Sequence, residues 1–189
     1  MSRRTSLKGK LLIAMPSIQG DWFSHSVVFL CEHSADGAMG LVLNKPAPQM
    51  YFADLAEKLD LGRTMPEHIL LQPIMLGGPV KTFQGFVLHS PDYMAEGSHR
   101  ITADFTLNTT VEILNAIALG KGPRRQLIAL GYAGWEPGQL DSEILNNGWL
   151  HCDADVDLVF GHKAERLHHA ALAKLGVDPR MLSSEAGHA

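Results

Sequence analysis

Apolar positions in this chain come in short blocks, and the spacing inside each block selects a strand or a helix. Residues 11–14 are apolar and are closed by Pro16, which cannot donate to a ladder, so a short strand is expected there. Residues 26–31 (SVVFLC) are almost continuously apolar, the mark of a strand buried on both faces. The run ends in Glu32, His33, Ser34, Ala35, Asp36 and Gly37, whose Asp-Gly pair signals a turn, and residues 40–43 follow closely enough to complete a hairpin. Residues 69–76, 85–89, 100–103 and 126–130 read as further strands, and the alternation of Val156, Leu158 and Phe160 predicts a half-buried one.

Helical spacing appears in four places. Phe52, Leu55, Ala56 and Leu59 share one face of a short helix, followed by a loop over 61–66. Thr109 and Glu112 have capping-box spacing ahead of a helix reaching about Leu119, with Leu114, Ile117 and Ala118 inward and Gly120 as its stop. Leu140, Ile144 and Leu145 mark a short helix stopped at Gly148. The last helix, 163–175, turns Ala164, Leu167, Ala171, Leu172 and Leu175 to one side and ends at Gly176. Strands follow strands early and helices are interspersed later, which predicts an α+β fold rather than an alternating doubly wound one.

Bulk properties narrow the classes. A chain of 189 residues, 46% hydrophobic and 19% charged, suits one globular domain. No apolar run approaches the roughly 20 residues that span a bilayer. The apolar stretch after the basic start is broken by Pro16 and Ser17, too short for a signal peptide, so a cytosolic location is expected. Two cysteines, Cys31 and Cys152, offer no disulfide framework. The net charge of −4 argues against direct DNA binding, which rests on Lys and Arg neutralising phosphates. The first eight or so residues and 183–189 are expected to be mobile.

Among candidate sites, Cys31-Glu32-His33 stands out. Residues two apart in a strand share a face, and an imidazolium beside a thiol favours the reactive thiolate; the competing reading is a cysteine packed as a small hydrophobe. Metal ligation is the weaker reading because no second Cys/His pair has a useful spacing, and no motif implies a cofactor. Gly77-Gly78 after a strand offers amides to an anion or, equally, a tight turn. Residues 131–140 hold Tyr132 and Trp135 among glycines, a loop suited to covering a pocket or core. Gln139, Glu143 and Asn147, four apart, line one side of the next helix and either read a polar ligand or form a solvated face. His33-Ser34 and His89-Ser90 both close strands in a His-Ser-x-Asp pattern that turn chemistry explains.

Several stretches taken in order resemble one family: residues 11–16 (LLIAMP), 26–33 (SVVFLCEH), 37–46 (GAMGLVLNKP), 76–80 (LGGPV), 130–135 (LGYAGW), then Gly138-Gln139-Leu140, Glu143-Ile144, Asn147, Trp149-Leu150 and Gly187-His188-Ala189. They identify the chain as similar to the YqgE/AlgH family of bacterial proteins, often described as transcriptional regulators. The resemblance implies a bifurcated β-sheet partly closed into a small barrel with helices around it. It implies no established activity, and the regulator label comes without a DNA-binding motif. His25 stands where the family usually has Arg, so an anion held there would require a protonated imidazole.

These readings converge on a non-enzymatic protein binding a small molecule or a partner protein. Its expected pocket draws on Cys31, Asn44, Gly77, Gly78, His89, Tyr132, Trp135, Gln139, Glu143 and Asn147, with an indirect effect on gene expression. The alternative is a thiol-based redox sensor or enzyme at Cys31.

Overall fold

The apolar blocks become strands of one curled, forked sheet. In the computed structural model, which describes residues 6–20, 22–62 and 64–182, the strands are β1 (Lys10–Ala14), β2 (Val27–Ser34), β3 (Gly37–Val42), β4 (Pro46–Tyr51), β5 (Pro73–Leu76), β6 (Val80–His89), β7 (His99–Arg100), β8 (Thr106–Asn108), β9 (Gln126–Trp135) and β10 (Trp149–Asp153). The helices are α1 (Phe52–Lys58), α2 (Glu67–Leu70), α3 (Val111–Ala118), α4 (Gln139–Leu145), α5 (Val156–Gly161) and α6 (Ala164–Lys174). The main path runs β10-β1-β2-β3-β9-β6-β8-β7. β9 is the fork: its first half, through Ile128, Ala129 and Leu130, lies between parallel β5 and antiparallel β6, whereas Ala133, Gly134 and Trp135 pair with β3. β4 extends the β5 side.

Three apolar layers fill the fold. Val27, Phe29 and Cys31 of β2 face a layer closed by α5 and α6, while Val28 and Leu30 face another that holds Trp135, Leu140 and Trp149. That two-sided burial explains the unbroken apolar run of β2. The third layer, with Phe52, Ile74, Ile113, Ile117 and Ile128, lies under α1 and α3. The mixed α+β class, the single domain and the forked, partly closed sheet ringed by helices match expectation. Among the described residues, no helix is long and apolar enough to cross a membrane.

Five local readings need correction. The strand expected at 100–103 shrinks to β7, His99–Arg100, and residues 101–103 are not strand. Residues 156–160 are helical, because the Asp155 carboxylate accepts the Leu158 N–H at 2.8 Å and caps α5. The strand read at 69–76 is split: α2 precedes a shorter β5. The 131–135 segment is strand rather than loop, since Gly131 takes φ +72° and lets β9 continue past a bulge. The Thr109/Glu112 capping box is absent; Asn108 Oδ1 instead accepts the Thr110 N–H at 2.8 Å and its hydroxyl at 2.9 Å. Residues 1–5 and 183–189 lie outside the described residues. At the beginning of the described chain, the Leu7 N–H donates to His33 Nδ1 at 3.0 Å and the Ser6 hydroxyl to the His33 carbonyl at 2.8 Å.

Candidate functional site

The structure turns Cys31 and His33 apart. A bulge between Leu30 and Glu32 shifts the β2–β3 register, so the two-residue rule that would align them fails. Cys31 Sγ lies in the core, 2% exposed, with the Phe29 carbonyl at 3.8 Å. Burial foremost, then the Glu32 charge, with Lys8 opposing, pushes its thiol up to about 12. That is the reverse of an activated cysteine, so the reactive-thiol expectation is corrected to a packed core thiol. His33 accepts the Leu7 N–H at Nδ1 and directs Nε2 toward Asp141, 3.7 Å away; Glu32 pairs with Lys8 at 2.8 Å.

Other nominated residues hold the backbone together. Asn44 accepts the Val27 N–H at 2.8 Å and donates to the His25 carbonyl at 2.9 Å, clamping the end of β3 to the start of β2. Gly77 donates to the Leu130 carbonyl, and a Cβ there would lie 2.3 Å from the Gly131 carbonyl oxygen. At Gly78, φ +155°, a Cβ would come within 2.1 Å of the Tyr132 backbone. Both glycines exist for close approach to β9, with Gly77's amide already used. His89 is fully buried: Nδ1 donates to the Ser90 carbonyl at 2.8 Å, and Nε2 has no partner among the described residues. Burial lowers its pKa, keeping the ring neutral.

The aromatic segment and the following helix do assemble, around Glu143. Its Oε2 accepts the indole N–H of Trp135 at 2.9 Å and of Trp149 at 2.8 Å, while Oε1 accepts the Gln139 amide at 2.9 Å. Gln139 also accepts the Glu136 N–H at 2.9 Å. The two indoles meet edge to face at 6.0 Å, with Phe23 against both. Buried indoles need an acceptor, and one carboxylate supplies it twice. This arrangement fastens α4 to β9 and β10 and leaves the carboxylate few open positions for a ligand. Tyr132 faces the other side of β9, against Phe86 at 5.8 Å. Asn147 takes φ +57°, and its carbonyl accepts the Ser17 hydroxyl. Trp149 was not singled out from sequence, although a tryptophan six residues past an acidic one carries a weak hint.

A different region is open. Val80 pairs with Tyr132 and Gly85 with Leu130, so the four residues 81–84 bulge out opposite Gly131 alone. Lys81 in this bulge takes φ +47°, and Phe83 is 99% exposed. Phe83 stands at the rim of an apolar groove of about 240 Å³ between α1 and α3. Ile128, Leu130, Val87 and Leu114 form its floor, Leu59 and Val111 its exposed edges, and among the described residues Lys58 is the one charged lining residue. β8 pairs with β6 only from Val87 to His89; beyond that the chain turns through Thr109 and Thr110 into α3, and the groove occupies the vacated place. Sequence periodicity passed over Phe83 and Val111 and grouped Leu59 with Phe52, Leu55 and Ala56 on one helix face, because an apolar residue carries no mark of exposure. Among the described residues no group of three or more His, Cys, Asp or Glu could hold a metal ion.

Comparison with known proteins gives a consistent answer. A family model described as AlgH-like (DUF179) matches residues 11–180. A UPF0301 protein of Rhodopseudomonas palustris is 49% identical, covering 97% of this chain and 87% of its own. One from Bradyrhizobium diazoefficiens is 51% identical over 97% and 88%. The solution structure of AlgH from Pseudomonas aeruginosa superimposes with TM-score 0.78 at 41% identity, covering 100% of this chain and 99% of that one. A crystal structure from Corynebacterium diphtheriae, 20% identical with TM-score 0.71 and covering 92% and 90%, shares the fold.

Proposed function

This chain belongs to the AlgH-like family, and on that footing we propose that it is a binding protein, not a catalyst, that docks an extended segment of a partner protein along β6. The observation that carries this reading is Phe83, fully exposed on a strained bulge beside an apolar groove. An aromatic side chain covers roughly 150–250 Å² when buried, so one left in water gains strongly from a partner. Val80–Gln84 are exposed, and β8 leaves the outer edge of β6 unpaired before Val87 among the described residues. An added strand would satisfy that edge while its alternate side chains drop into the groove. Lys58 in the lining and Lys81 on the bulge favour a segment that is apolar with flanking acidic residues. An effect on gene expression would then pass through the partner.

Selection from a random peptide library on the immobilised full chain tests this. Expected binders are extended, apolar and acidic, and lose at least roughly tenfold in affinity on Phe83→Ser or Leu59→Glu. Their NMR footprint should fall on amides 82–86. Binders indifferent to both substitutions, or no binders at all, would overturn the reading.

A further inference from the structure

A second concavity, on the far side of β5 and β9 from Phe83, has a different chemistry. Two neighbouring spaces lie there. A slot of about 150 Å³ is lined mainly by apolar side chains, among them Leu43, Met75, Val159 and Leu167, with His162. Beside it is a shallow cleft of about 400 Å³ bordered by His68, Arg124, Arg125 and Gly161. Gln72, Gln126 and Phe160 belong to both spaces and mark the boundary.

Each boundary group has an unfilled capacity. Gln126 donates its side-chain amide to Gln72 Oε1 at 3.0 Å, and Gln72 donates to the Gln126 main-chain carbonyl at 3.1 Å. That pairing orients both amides and, among the described residues, leaves Gln126 Oε1 and one N–H on each amide, an adjacent acceptor and donors. Phe160 is half-exposed, its ring supported from behind by Phe105 at 5.7 Å. Arg125 holds Asp157 through one nitrogen at 3.0 Å; Asp157 lies largely in water and Arg125 is about half-exposed, so among the described residues most of its five N–H donors remain. Arg124 lies near Asp92, and its side chain is exposed at the cleft. Two guanidiniums beside a concave surface are unusual in a chain of net charge −4, and planar forks of this kind match phosphate oxygens.

We propose that this cleft binds a nucleoside phosphate, with the base against Phe160, its edge read by the Gln72–Gln126 pair, and the phosphate on Arg124 and Arg125. Glutamine amides pair with base edges through one donor and one acceptor, and aromatic rings stack on any base. The cations set the end at which the phosphate lies. The site is independent of the Phe83 groove.

Calorimetric titration of the full chain with AMP, GMP, CMP, UMP, adenosine and inorganic phosphate tests it. At least one monophosphate should bind more tightly than adenosine or phosphate alone, and should weaken as salt rises. Joint Arg124→Ala and Arg125→Ala substitution should reduce that affinity by roughly tenfold or more, with an unchanged melting midpoint because both side chains are exposed. Gln126→Ala should alter the ranking of bases, whereas Phe83→Ser should leave every affinity as it was. Binding by phosphate alone at equal strength would reduce the site to a simple anion patch and overturn the proposal. So would equal binding of adenosine, indifference to the arginine substitutions, or no binding by any monophosphate at millimolar concentration.

Discussion

Two regions of β9 and its neighbours handle side-chain chemistry in opposite ways. At the Glu143 corner, two indoles, an amide and a carboxylate satisfy one another, and Trp135 and Trp149 are 7% and 3% exposed. At the β6 bulge, an aromatic ring lies in water beside an apolar groove and a strand edge that no described residue pairs. The first region is rich in the residue types that suggest function, yet its polar atoms face inward and serve architecture. The second contains hardly any polar chemistry, yet it is the surface with something left to gain from contact. Saturation, rather than residue type, separates the two.

The sharpest way to break the comparison is to disturb the closed region where backbone meets backbone. Gly78→Ala would place a methyl group 2.1–2.3 Å from the Tyr132 and Ala133 backbone at φ +155°, so neither a rotamer change nor a small shift can relieve it. The expected loss is more than about 4 kcal/mol, read as a failure to reach a native urea transition; a near-native midpoint would mean that β5 and β9 are not held this closely. Next comes Glu143→Ala, which leaves two indole N–H groups without their acceptor. At about 1–3 kcal/mol for each stranded donor, the expected loss is about 3 kcal/mol. Glu143→Gln keeps a carbonyl acceptor and should recover part of it. A loss under about 0.5 kcal/mol would show that water replaces the carboxylate and that the corner is not closed.

The legible and illegible parts of the molecule divide along physical lines. Strands β1, β2 and β3 and helices α1, α3, α4 and α6 could be read because each carries a dense apolar signal with a clear stop, such as the Asp36-Gly37 turn or Gly176 after α6. The strands β4, β8 and β10 were missed, since Pro46–Tyr51 is interrupted by two prolines, Thr106–Asn108 is only three residues long, and His151 and Asp153 break the apolar signal of Trp149–Asp153. α5 was misread because Val156, Leu158 and Phe160 fit period two, while the decisive Asp155 cap is one ordinary acidic residue. The forked sheet came from family resemblance, as no periodicity reveals that β9 changes neighbours at Gly131. At the site level, Gln139, Glu143 and Trp135 do meet, bonded to one another, whereas Tyr132 and Asn147 lie apart from them; the bulge that turns His33 from Cys31 depends on β3 pairing and could not be seen locally.

The open region should respond to mutation in the opposite sense from the closed one. Phe83→Ser removes a ring that is 99% exposed, so the urea midpoint should correspond to a change within about 0.5 kcal/mol. A loss of 2 kcal/mol or more on the scale of a buried aromatic would mean that the ring packs against its own chain in solution, and the contrast with the Glu143 corner would disappear.

The smallest expected effect concerns the other end of the same strand. His89 is closed from water like the Glu143 corner, yet unsatisfied like the groove: among the described residues Nε2 has no partner. Burial lowers its folded-state pKa, against smaller upward effects of the Ser90 carbonyl and Asp92. In the unfolded chain the ring titrates near 6.5, so below that pH the unfolded state binds the extra proton. Stability is therefore fully present above the unfolded pKa and declines as pH falls from about 6.5 toward the lower folded-state value, with a slope of at most about 1.4 kcal/mol per pH unit. His168, also lowered mainly by burial, acts in the same direction. Asp92, Asp155 and Asp178, whose folded-state values are depressed, lose their contribution only at more acidic pH, below their unfolded values near 4. Between pH 7 and 5 the histidine contribution can thus be isolated by urea titration. His89→Leu, which replaces the orphaned nitrogen with apolar volume, should flatten the slope without abolishing it, because His168 remains. An unchanged slope would mean that water or a proton reaches Nε2 in the folded state, and that His89 belongs with the open surfaces of the molecule rather than with its closed ones.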